Sequence, residues 1–496
     1  MNRPLLFAVV NASAALLVAV GTFMRSAAGP HPLYLVALTL ICTLPLLFMR
    51  KLNDRHALLA LFSANYFVQF ALLDYLQLFS GGAVYVRQAP VLSEAEGVIL
   101  VGAVMVQLCF LLVSSTPRRQ SSKPIADWPP ELLLYGGLAL WLAGTWLSWV
   151  YKVDIMVAPT AAATRQGFAT LNSLQILGFM IAAYLQPLSI AMLAYAYCRQ
   201  RRPLLVPVLI VAVLAQLAIG FVSDSKSDAL LGVVLVAVTR LLLEGRLPRL
   251  WIVGAVVFIG GVYPVLTANR AVRSEYGLTH VDAAQQIGQV VSRALETNKT
   301  EAKNEDEKRQ AIYERLSLKG SVDMIVSRTG HGVAFQNGNT LESLLTVFIP
   351  RILWSDKPDL QVGRLVTAQF LGSESPDLYT SPSHVGELYW NFGWPGVVIG
   401  MGLIGLLLGY VGVRTDLSAG INLTRVLIIM VTIQQLIIGS ESTFAAPYTV
   451  WLRSLLAIGL AHWLIARPGA GAQSDVAPQT VPQAAQGGWR FENLMH

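Results

Sequence analysis

The residues of this chain best suited to chemistry gather in one stretch between apolar runs. His384 and Glu387 stand three apart, and an imidazole or a carboxylate is the usual group for taking a proton from a hydroxyl. Cations accompany them: Arg270 and Arg273, Arg328 in the run Ser-Arg-Thr-Gly-His-Gly, and Arg351 near Lys357. Guanidinium groups match phosphate oxygens in bidentate geometry, so arginine is the residue to follow for any phosphate-bearing substrate.

Spacing gives each of these residues a structural reading beside the chemical one. Arg270 and Arg273, at i and i+3, share one helix face and suit either phosphate binding or anchoring at lipid head groups. Pro350 and Pro358 bracket a turn that presents Arg351 and Lys357 together, with Asp356 and Asp359 as alternative partners for Arg351. If a helix begins by Ser383, His384 and Glu387 fall on one face and the serine can cap it. In that setting Glu387 also suits the helix dipole, and His384 a satisfied interfacial position. Lys226 lies between Asp224 and Asp228, where it opposes cation binding and suits a phosphate contact. The mixed-sign run from Glu301 to Arg309 reads as a solvated helix face, and no metal site is expected.

The elements that must position these groups are membrane helices. Of the 496 residues, 54% are hydrophobic and 13% charged, where a soluble domain carries about 25% charged residues, and the mean hydropathy is +0.55. Apolar runs long enough to cross a bilayer recur along the chain, which excludes a soluble enzyme or a secreted module. The net charge of +7 sits in short clusters between those runs, as membrane topology requires, so nucleic acid is not an expected partner. Cys42, Cys109 and Cys198 fall within or at the ends of apolar runs and offer neither a disulfide framework nor a metal motif.

Windows of low charge predict twelve spans, near 5–24, 33–49, 57–79, 97–114, 132–151, 173–198, 203–221, 228–243, 250–268, 393–413, 421–438 and 446–465. Lys and Arg concentrate in every second loop, which predicts both termini in the cytoplasm and an uncleaved first helix. The expected organisation is nine spans over 1–268, a large, partly helical outer-face loop over 269–392, three spans over 393–465 and a disordered cytoplasmic tail over 466–496. Asp74, Tyr75 and Gln186 are expected to face the bundle interior, to line a lipid-entry groove or, as such groups more commonly do, to hydrogen-bond between helices. No internal repeat at a fixed period is present.

The stretch from Pro350 to Gly396 resembles the bacterial Wzy-type polymerases of oligosaccharide repeat units, which lengthen O-antigen or exopolysaccharide. Pro350, Arg351, Trp354, Lys357 and Pro358, then Gly386, Glu387, Tyr389, Asn391, Phe392, Gly393 and Gly396 carry the resemblance. It implies a GT-C-like inner-membrane glycosyltransferase that joins glycans carried on undecaprenyl pyrophosphate at the periplasmic face, without a cofactor or metal. Donor and acceptor are then both lipid-linked oligosaccharides, with membrane lipids and a chain-length regulator as further partners. On that reading Glu387 and His384 are the catalytic candidates. Arg270, Arg273, Arg328, Arg351, Lys357, Lys226, Tyr389 and Asn391 are candidates for binding the pyrophosphate and glycan. Tyr389, Trp390, Phe392 and Trp394 suit sugar stacking, or an interfacial aromatic belt, which is the favoured place for Trp390 and Trp394. An O-antigen ligase using the same donor, and a lipid-linked oligosaccharide flippase, remain open.

Overall fold

The computed structural model describes residues 3–24, 31–49, 54–75, 92–115, 128–148, 150, 173–222, 226–244, 318–346, 349, 354, 361–373, 379–417 and 420–465. The regular elements among them are helices: α1 (Arg3–Met24), α2 (Pro32–Phe48), α3 (Ala57–Tyr75), α4 (Glu94–Ser114), α5 (Leu132–Leu147), α6 (Ser173–Gln200), α7 (Leu205–Val222) and α8 (Lys226–Glu244). Then come α9 (Lys319–Arg328), α10 (Glu342–Thr346), α11 (Val362–Leu371), α12 (Ser383–Arg414), α13 (Leu423–Glu441) and α14 (Ala445–Ile465).

Six helices among the described residues, not twelve, are long and apolar enough to cross a membrane: α1, α3, α4, α12, α13 and α14. The shortfall from the expected twelve has local causes. α2 is broken where Pro45 starts a new turn, and α2, α5 and α7 are apolar but shorter than a span. α8 carries Lys226, Asp228, Arg240 and Glu244. The expected span at 250–268 lies outside the described residues. Large apolar side chains stand on the outside of the bundle, among them Leu108, Leu112, Leu403, Leu456 and Leu460. Water would penalise that arrangement and hydrocarbon would not.

The packing centre is α12 against α4. Two glycines of α12 face the backbone of α4: a Cβ on Gly405 would fall 2.3 Å from the Val106 carbonyl oxygen, and one on Gly409 3.0 Å from that of Phe110. Without a hydrophobic drive between helices in lipid, such close backbone approach is what packs them.

α12 is bent rather than straight, and it begins at Ser383, ahead of the boundary expected at 393. Gly393 takes φ 61° and ψ −146°, a region open essentially to glycine alone. Pro395 follows at the start of the next segment, where a missing N–H costs nothing. Leu388 and Gly396 would be about 12 Å apart along a straight helix. Here the Leu388 carbonyl lies so close over Gly396 that an added Cβ would meet it at 2.3 Å. The first segment, 383–392, is therefore folded against the head of the membrane-crossing segment.

The glycine contacts are open to test in spans of equal composition. Gly405→Ala is expected to destabilise by about 1–3 kcal/mol through overpacking. Gly459→Ala, with nothing within 4 Å of its added Cβ, is expected to be neutral or to stabilise by up to about 1 kcal/mol through helix propensity. Thermal unfolding of the purified variants in one detergent checks both.

Candidate active site

One end of the bundle gathers a buried set of polar groups. There the last turn of α3, the first turn of α4, the head of α12, the end of α13 and the start of α14 meet α9 and α11. α3 and α13 each relax into a π-helical turn on the way, at Val68–Leu72 and Ile433–Ile437. Such turns free backbone groups and recur at functional sites. The Gln69 carbonyl in the first of them accepts the Leu318 N–H at 3.2 Å. Asn65 and Gln69 reach across to Ser440, and the Asn65 amide also bonds the Ile437 carbonyl at 2.7 Å.

Glu387 is fully buried in this assembly. One carboxylate oxygen, Oε2, accepts the Phe444 N–H at 2.7 Å, and the Thr340 hydroxyl lies against the same carboxylate. His384, one turn earlier and 2% exposed, has the Phe444 and Tyr448 rings at 5.3 and 5.5 Å, and the Thr443 backbone beside it. Those two rings stack on each other at 4.4 Å, forming an aromatic wall. Ser383, at φ 57°, accepts the Gly386 N–H on its hydroxyl at 3.4 Å, so the serine expected as a cap satisfies a donor of the first turn. The helical start places His384 and Glu387 on one face, as their spacing requires.

The other residues singled out in the sequence divide by position. Asn391 continues the same face, but its polar atoms serve the chain itself. Its amide donates to Thr340 Oγ1 at 2.7 Å and to the Glu387 carbonyl at 2.8 Å, and its oxygen accepts the Gly338 N–H at 2.9 Å. Asn391 thus pins the 336–341 loop, and Thr340 with it, over Glu387. Tyr389 points the other way and donates to Glu94 Oε1 at 2.8 Å, an oxygen that also takes the Trp394 N–H at 3.1 Å. Trp390, expected in an interfacial belt, is instead fully buried, edge-on to Phe370 at 5.2 Å, because the bend at Gly393 turns it into the core. Arg328 ends α9 and donates to the Phe370 carbonyl, tying α9 to α11. Lys226 opens α8. Arg270, Arg273, Arg351 and Lys357 lie outside the described residues, as do Asp224, Asp356 and Asp359.

Sequence reasoning missed the groups that complete the site. Thr340, Phe444 and Tyr448 come from segments far from α12 in the chain and carry no motif. Lys319 was also missed. Its ammonium lies 3.0 Å from Asp74 Oδ2 and 2.8 Å from Glu96 Oε1, and 4.4 Å above the Tyr34 ring. Glu96 is held by a capping box with Ser93 at the head of α4. Burial opposes the Lys319 charge, but the two carboxylates outweigh it and hold the ammonium above its ordinary pKa. Lys319 thereby fastens α9 onto α3 and α4. The middle of α9 then reaches the site: Ile325 and Val322 stand 3.3 and 3.4 Å from where a Gly386 Cβ would be. Among the described residues no group of three or more His, Cys, Asp and Glu side chains is placed to hold a metal ion.

Fold and site together define an all-α, multi-pass membrane protein with a buried carboxylate and imidazole at one end of the bundle. The chain belongs to the family described as a domain of unknown function, DUF8712, whose model matches residues 152–467. No curated protein and no solved structure matches it.

Removing the Lys319 charge leaves two carboxylates buried together, at a cost of about 3–5 kcal/mol. Lys319→Met is therefore expected to lower the unfolding temperature and to speed amide hydrogen exchange across 318–328. Unchanged protection there would mean that the apolar face of α9 suffices to hold it.

Proposed function

We propose that this protein is a GT-C-like membrane glycosyltransferase that polymerises undecaprenyl-pyrophosphate-linked oligosaccharide repeat units into O-antigen or exopolysaccharide at the periplasmic face of the inner membrane. The observation that carries the reading is Glu387: a carboxylate with no exposed surface, anchored by one backbone N–H, at the polar end of an apolar bundle. An ionisable group so placed is costly unless it has work to do. The resemblance of the segment around it to the Wzy-type polymerases supplies the kind of work.

The chemistry follows from the groups present. The acceptor sugar hydroxyl gives its proton to Glu387 as its oxygen bonds the anomeric carbon of the donor glycan. The bond from that carbon to the lipid pyrophosphate breaks, and undecaprenyl pyrophosphate leaves with the bonding electrons. The Phe444 N–H fixes one carboxylate oxygen and so orients the base, while His384 shares its face within the wall formed by Phe444 and Tyr448. Asn391 and Thr340 hold the overlying loop in register. Arg351, Lys357, Arg270 and Arg273 are proposed to bind the pyrophosphate, whose doubled charge calls for guanidinium groups.

Purified protein in lipid nanodiscs, given undecaprenyl-pyrophosphate-linked repeat units, is expected to yield a ladder of longer lipid-linked glycans and free undecaprenyl pyrophosphate. Loss of a general base removes roughly 10²- to 10⁴-fold of rate, so Glu387→Gln should abolish the ladder at unchanged thermal stability, and Arg351→Ala should weaken it. A Glu387→Gln variant that extends chains at the wild-type rate would overturn the assignment. Transfer of the glycan to a different acceptor by the wild type would identify a ligase instead, and translocation without bond formation a flippase.

A further inference from the structure

The spans that carry the candidate active site at one end share a second polar site at the other. α3 starts just after His56, α4 ends at Ser114 and α12 ends at Arg414. A cleft of about 460 Å³ opens there, walled by Arg3 in the first turn of α1, the end of α2, residues 54–56 ahead of α3, and Asp416 beyond α12.

Among the described residues, five chargeable side chains line it, of both signs: Arg3, Arg55 and His56, with Asp54 and Asp416. They are held in place. Asp54 Oδ1 accepts the His56 N–H at 2.8 Å and lies 3.7 Å from the ring nitrogen Nδ1. The His56 ring sits between Phe48 and Phe110, at 6.4 and 6.2 Å. Arg55 donates through Nη1 to the Ser114 carbonyl at 2.9 Å, and a guanidinium has five donors in a rigid fork. Arg3, Asp54, His56 and Asp416 are each engaged with the protein as well. The lining is therefore a preorganised set of charges, with Leu47 and Phe48 as its apolar wall.

The place and the charge pattern together select a ligand. The ends of membrane spans lie at the depth of lipid phosphates, and basic pockets between helices there bind head groups. A simple anion would meet two carboxylates along with the cations. A group carrying phosphate and ammonium a few bonds apart matches both signs at once, and its glycerol and first acyl carbons suit the Leu47 and Phe48 wall.

We propose that this cleft binds the head group of a zwitterionic aminophospholipid, with the phosphate at Arg55 and Arg3 and the ammonium at Asp416 and Asp54. The site is independent of the polymerase reading: it requires only that the chain spans a bilayer.

The test is native mass spectrometry of the full-length protein, released from detergent after equilibration with equal amounts of phosphatidylethanolamine and phosphatidylglycerol. The wild type is expected to retain phosphatidylethanolamine in preference. Arg55→Gln and Arg3→Gln are each expected to lower that retention roughly tenfold, the usual worth of a hydrogen bond to a charged group. Asp416→Asn should shift the preference toward phosphatidylglycerol. Glycerophosphoethanolamine, the soluble head group, should displace bound lipid, and inorganic phosphate at the same concentration should not. Equal retention of the two lipids by the wild type, displacement by phosphate alone, or wild-type retention by all three variants would overturn the proposal. The Arg3→Gln change lies in the first turn of α1, away from the α4–α12 packing, so its result stands if another variant fails to fold.

Discussion

The backbone at Gly393 is the constraint on which this architecture turns. Its φ and ψ are open to glycine alone, and they fold the first segment of α12 back on the head of the second until carbonyl and glycine touch. With the bend, Trp390 enters the core, Asn391 clamps Gly338 and Thr340, and Glu387 is closed over by Phe444. The glycines of the second segment then set the depth at which α12 lies on α4, which fixes Glu94 against Tyr389 and Trp394.

Around that bend, the polar groups follow one rule of apolar surroundings: a charge stays only where partners meet it. Asp74, Glu96 and Lys319 come from three helices and neutralise much of one another where α9 docks. Breaking such a set is far more costly than never having built it, so its value lies in fixing one arrangement. That arrangement carries Val322 and Ile325 to Gly386, between His384 and Glu387 in the chain. Arg55 plays the matching part at the opposite end, tying the turn before α3 to the last residue of α4.

Much of this was legible in the sequence, for reasons that also mark where legibility ends. Apolar runs announce membrane helices because lipid leaves no other way to satisfy the backbone. Periodicity put His384 and Glu387 on one face once Ser383 began the helix. Asp74, Tyr75 and Gln186 do face inward, bonded to Lys319, Thr39 and Ser148. The span count was less legible, since the same hydropathy describes α2, which Pro45 breaks, and α5, which is short of a span. Partners across the fold were not legible at all. Lys319 is 245 residues from Asp74 and 223 from Glu96, and nothing local to it signals either. Phe444 meets Glu387 through its backbone N–H, which every residue type but proline supplies. Gly393 could have been noticed two residues before Pro395, since glycine and proline close together punctuate a helix.

The central claim is that the buried end of the bundle around Glu387 receives the lipid-linked glycan. The most direct measurement is photocrosslinking of the purified protein with an undecaprenyl-pyrophosphate-linked oligosaccharide bearing a photoreactive group on its terminal sugar, followed by peptide mapping. The account predicts labels on peptides containing Thr340, His384 to Asn391 and Phe444, suppressed by excess unlabelled glycan. Labels confined to the opposite end, around Asp54 and Asp416, or labels that excess glycan leaves unchanged, would contradict it.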